Sequence, residues 1–100
     1  MAFEHDNFAA NIEVASGGDA ALRAELRTAF CESLAQHLDM LGRSRCDANW
    51  RVAALRLRGL GASFHAKLLV DLAEEALDGA PGDPVVLRKL GTLHDDLTSN

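Results

Sequence analysis

The residues best placed to do chemistry lie in the stretch 50–66, WRVAALRLRGLGASFHA. Side chains three and four positions apart share a helix face, so Arg51, Leu55, Arg58, Gly59 and Ala62 fall together. With Trp50, Ala53, Ala54 and Leu57 turned to a core, Leu55 is expected to point about 150° away from them, toward solvent or a partner. A glycine inside a helix costs roughly 1 kcal/mol against alanine. An outward Gly59 therefore calls for a reason, and close approach of another molecule is one. The plainer alternative is that Gly59 eases helix packing or begins a helix end, and that Leu55 is one scattered surface leucine. The chemistry offered is recognition: an apolar knob among guanidinium groups, beside a nearly flat Gly59–Ala62 surface.

Other constellations carry less. His37 falls on the apolar stripe of its helix, as a satisfied, partly buried histidine does. His65 lies near a helix end, about 80° to the other side of the arginine face. His94, followed by Asp95 and Asp96, reads as a solvated helix edge, and His5 as part of a mobile tail. Gly59 and Gly61 sit in a helical pattern without the context of a phosphate-binding loop. No second cluster at i, i+4 spacing completes a metal site with His94–Asp95–Asp96 or His5–Asp6, so no metal is expected. Cys31 and Cys46 form neither a C-x-x-C pair nor a zinc spacing, and neither has a matched histidine and acid.

These side chains must be positioned by helices. The chain has 100 residues, 48% apolar and 25% charged, which suits one small soluble domain, 1–100, with an ordered core over about 12–97. There is no tyrosine, and no alternation of the strand type is sustained. Apolar residues recur at helical spacing over 6–14, 20–41, 48–63, 66–77 and 84–97. The second stripe runs Leu22, Leu26, Ala29, Phe30, Ser33, His37, Met40 and Leu41; the third runs Trp50, Ala53, Ala54, Leu57, Gly61 and Phe64. The fourth holds Leu68, Leu69, Leu72, Ala73 and Ala76, and the fifth Val86, Leu90, Leu93 and Leu97. Phe3, Phe8 and Ile12 give the first only a weak stripe. Asp19, Asp47 and Asp83 are expected N-caps, with Pro84 in the first turn of the last helix. Short connections make successive helices antiparallel neighbours. The expected fold is all-α: an up-down antiparallel four-helix bundle with a short extra N-terminal helix.

Fifteen acidic residues against ten basic ones, a net charge of -5, argue against a general nucleic-acid binder. Without a secretory signal or an apolar run of about 18 residues, the expected location is the cytoplasm, with no membrane span. Two cysteines outside any disulfide framework agree with a reducing compartment.

The run 50–66 resembles the signature of the histidine-phosphotransfer (HPt) domain family, approximately A-H-x-L-K-G-x-A-x-x-F/L-G-A. Ala54 matches the leading Ala, Leu57 the Leu, Arg58 the Lys and Gly59 the Gly. Ala62 and Ser63 fall in the small-residue stretch, Phe64 at the apolar position and Ala66 at the closing Ala. Downstream, LLVDLAEEAL is similar to the family's L-x-x-L-x-x-x-L-E segment. Upstream, GGDAALRAELRTAFCESLAQHLDML resembles its first long helix, including Phe30 near the middle. The resemblance spans about 12–97. Leu60 departs from the usual small residue and His65 from the usual Gly. The departure that matters is Leu55, which stands where the family has its phosphoacceptor His. Phosphotransfer needs a nucleophilic imidazole nitrogen, and a leucine has no lone pair.

The resemblance thus implies a pseudo-phosphotransfer module of a two-component phosphorelay, needing no cofactor and carrying no phosphate. It would dock on the receiver domain of a response regulator, or on a histidine kinase. A receiver presents an acidic, Mg²⁺-binding pocket with an apolar rim, to which Leu55, Gly59 and Ala62 would offer surface and Arg51, Arg56 and Arg58 charge. Two other readings stand beside it. One is a working phosphotransferase that uses another histidine, or whose parent sequence has His at 55. The other is a helical scaffold that forms a weak homodimer through Leu55, Leu60 and Val52.

Overall fold

A computed structural model describes residues 2–99 of the chain, with side chains from Phe8 onward. Five helices follow one another: α1 (Ala2–Ser16), α2 (Ala20–Arg43), α3 (Asp47–Ser63), α4 (Lys67–Asp78) and α5 (Pro84–Thr98). Among the described residues there is no strand. The Cα radius of gyration is 13.4 Å and the principal extents are 42 × 21 × 20 Å. The long direction is set by α2, whose 24 residues rise about 36 Å.

Helix starts follow local chemistry. Asp19 Oδ1 accepts hydrogen bonds from the backbone N–H of Ala21 (2.9 Å) and Leu22 (3.1 Å). Asp83 Oδ1 accepts from Val85 N–H at 3.0 Å, with Pro84 in the first turn. At α3 the expectation fails by one position: Cys46 is the cap, without a side-chain bond, and Asp47 is the first helical residue. There its carboxylate still favours the positive end of the helix.

The end of α3 is a Schellman motif. Ala66 N–H donates to Gly61 O (2.8 Å) and His65 N–H to Ala62 O (3.3 Å), with His65 at φ 55°. That left-handed position favours glycine, and a non-glycine side chain there costs about 1–2 kcal/mol. His65 is thus a histidine held in a conformation that suits glycine. Asn11 Nδ2 donates to its carbonyl at 3.2 Å and helps fix the turn to α1.

The neighbours in space are α1 with α2, α2 with α3, α3 with α4, α4 with α5, and α5 with α2. Helices α2 to α5 thus close a ring around one core, and α1 lies outside it against α2. The third, fourth and fifth stripes enter the core largely as expected. Trp50, Ala53, Ala54, Leu57 and Gly61 of α3, and Val86, Leu90, Leu93 and Leu97 of α5, are all buried. In α4, Leu69, Leu72, Ala73 and Ala76 are buried while Leu68 is half-buried.

Helix α2 is turned relative to its expected stripe. Leu22 and Ala29 are exposed, and the buried positions are Phe30, Leu34 and Leu41. The reason is that α2 is flanked on three sides, by α1, α3 and α5. Its apolar face therefore swings toward Leu34, with Leu38 and Cys31 packed against the core as well.

Helix α1 is longer than the expected 6–14. Phe8 and Ile12 bind it firmly, being 1% and 2% exposed. Phe8 stacks tilted on Phe30 (centroids 4.6 Å), which meets Phe64 edge-on at 4.9 Å. Arg27 lies 5.8 Å over the Phe8 ring, and Arg23 pairs with Glu13. The expectations for the Phe3 and His5 side chains fall outside the described residues.

Candidate interaction site on helix α3

Helix α3 is fixed on both sides. Trp50 Nε1 donates to Ala76 O at 2.7 Å in the core, tying the start of α3 to the end of α4. At the other end, Gly61 lets α4 come close: an added Cβ would meet Val70 Cγ2 at 2.9 Å, Val70 N at 3.0 Å and Ala66 O at 3.2 Å. The two helices therefore run antiparallel in tight contact. On the opposite side, His37 of α2 senses the charge of Arg56.

These anchors orient the six expected site residues. Measured around the helix from Trp50, Arg58, Arg51, Ala62 and Leu55 lie at about 80°, 100°, 120° and 140° on the flank toward α4. Gly59 lies at about 180°, on the outer crest, and Arg56 at about 120° on the other side, toward α2. The arginines thus straddle the crest rather than share one face.

Arg51, Arg56, Arg58, Gly59 and Ala62 are all exposed. Leu55 is half-buried rather than fully outward. No heavy atom would come within 4 Å of a Cβ at Gly59, so nothing in the chain itself requires glycine there. Val52, 44% exposed, adds an apolar side chain to the crest. It lies beside Gly59, seven residues or about two helical turns away, and was expected as an outward residue only in the homodimer reading.

The electrostatics are one-sided. Among the described residues, neither Arg51, Arg56 nor Arg58 forms an ion pair. By contrast Arg43, Lys67 and Lys89 pair with Asp39, Asp71 and Glu75. Six of the ten basic residues fall within 43–67, against the single acid Asp47. An acidic chain therefore presents a basic strip along one helix.

The remaining candidates are set in the fold as follows. His37 is partly buried but not satisfied: its Nδ1 is enclosed and has no hydrogen-bond partner. Burial first, and the charge of Arg56 second, push its pKa below the ordinary value. His94 is half-buried, with Nδ1 3.8 Å from Asp95. Burial raises the pKa of the Cys31 thiol, partly opposed by Arg27, which leaves a poor nucleophile. Cys31 and Cys46 are free thiols. Among the described residues no group of three or more His, Cys, Asp or Glu side chains is gathered to hold a metal ion, and no helix is long and apolar enough to cross a membrane.

No protein-family model, curated protein or solved structure matches the chain.

Proposed function

We propose that the chain is an HPt-like docking module of a two-component phosphorelay. It binds the receiver domain of a response regulator, or a histidine kinase, and carries no phosphoryl group. The observation that carries this reading is the outer surface of α3: three unpaired arginines straddling Leu55, Gly59 and Ala62. The ring of α2 to α5, with α1 outside it, supports an up-down four-helix bundle with an extra N-terminal helix, the architecture that the HPt resemblance implies.

The chemistry follows from the residues. Leu55, at the acceptor position, has no atom that can take a phosphoryl group. The surface around it still suits an acidic pocket with an apolar rim. Guanidinium charge steers encounter and selects partners, and the bare Gly59–Ala62 surface admits close contact. In the cytoplasm the module acts by competition, holding a receiver away from its phosphodonor. Replacing Leu55→Asp together with Arg58→Glu is expected to weaken receiver binding at least about tenfold, or about 1.4 kcal/mol. Unchanged affinity in a calorimetric titration would remove this reading.

A further inference from the structure

The two most closely packed helices carry unpaired charges of opposite sign on their exposed sides. On α3 these are Arg51 and Arg58. On α4 they are Glu74 and Asp78, both exposed. Among the described residues none of the four has an ion-pair or hydrogen-bond partner, whereas their neighbours Asp71 and Glu75 are paired with Lys67 and Lys89. Toward the end of α3 the groove between the two helices opens into a cleft of about 460 Å³, lined by Ala62 and Val70 and by the paired Lys67 and Asp71 together with Glu74.

A face with a positive edge and a negative edge is complementary to itself. Two copies can meet face to face about a two-fold axis in only two simple ways. An axis across the helices stacks α3 on α3 and sets arginine against arginine. An axis along the groove lays α3 of each copy on α4 of the other, so that opposite charges meet twice. The Trp50–Ala76 hydrogen bond sets the levels along the axis. Arg51 stands near the Asp78 end of α4, and Arg58 higher, toward Glu74.

We propose that the α3–α4 face is a self-association surface. In a two-fold dimer, Arg51 and Arg58 of one copy meet Asp78 and Glu74 of the second. The contact covers part of the arginine strip, so the dimer and an acidic partner compete for α3. The inference does not depend on what that partner is.

Light scattering over a dilution series tests it. At low salt the average mass should rise with concentration from 10.7 kDa toward twice that value, and high salt should return it to the single chain. Two variants, Arg51→Glu/Arg58→Glu and Glu74→Arg/Asp78→Arg, should each stay at the single-chain mass. An equimolar mixture of them should dimerise, because the swapped charges are complementary again. A concentration-independent monomer, or a mixture that does not associate, overturns the proposal. The Glu74→Arg/Asp78→Arg variant keeps the arginines of α3, so it should still bind an acidic receiver. Loss of dimer and loss of docking are thereby told apart.

Discussion

At the scale of single residues, His37 links burial to pH. Its enclosed Nδ1 has no partner among the described residues, and burial, with the charge of Arg56, disfavours the charged ring. With the folded pKa depressed, the unfolded chain takes up the proton first as pH falls. Stability from this site is therefore present above the unfolded value of about 6.5 and is lost as pH falls toward the folded value. Between about pH 7 and about pH 5, a His37→Leu variant should lose less stability than the parent in denaturant titrations. An identical slope for the two chains would contradict this account. Sequence spacing placed His37 on the apolar side of α2. It did not reveal the missing partner, because helical spacing says nothing of the polar groups that the fold brings near the ring. For Leu55 too the angle was legible but the half-buried state was not, since burial is set by packing that helical spacing does not contain.

At the scale of elements, two glycines of one helix act in opposite ways. Gly61 is required by packing, since a Cβ there meets backbone atoms of Ala66 and Val70. Gly61→Ala should therefore destabilise the fold by about 1–3 kcal/mol. Gly59 meets nothing, so Gly59→Ala should stabilise by up to about 1 kcal/mol through helix propensity. Thermal unfolding of the pair measures both signs. A stabilised Gly59→Ala chain that docks less well would show that this glycine serves a partner rather than the fold. The stripes of α3, α4 and α5 were legible because each of these helices presents one narrow face to the core. That of α2 was rotated because three neighbours claim its surface. The cap of α3 was displaced by one residue, as Asp47 serves the first turn whether it caps or follows the cap. The length of α1 was hidden by its sparse apolar residues, although Phe8, stacked on Phe30, and Ile12 are buried.

At the scale of the whole molecule, the distribution of charge says more than its total. A net charge of -5 argued against a general nucleic-acid binder, yet the acids lie almost entirely outside 43–67. The basic strip is thus a local exception on a chain that otherwise repels acidic partners. This should make docking orientation-specific and salt-dependent. The total hid it, but the arginines were legible in the run 50–66; the structure adds that Arg51, Arg56 and Arg58 are exposed and form no ion pair among the described residues. The ring of α2 to α5 followed from the short connections, whereas the position of α1 outside it did not.

The central claim is that the outer surface of α3 receives an acidic partner. The most direct measurement is a ¹H–¹⁵N shift titration of the chain with receiver domains. The account predicts shifts clustered on Arg51, Leu55, Arg56, Arg58, Gly59 and Ala62, shrinking as salt is raised. An absence of shifts with every receiver, or shifts centred on α5 and the far side of α2, would contradict it.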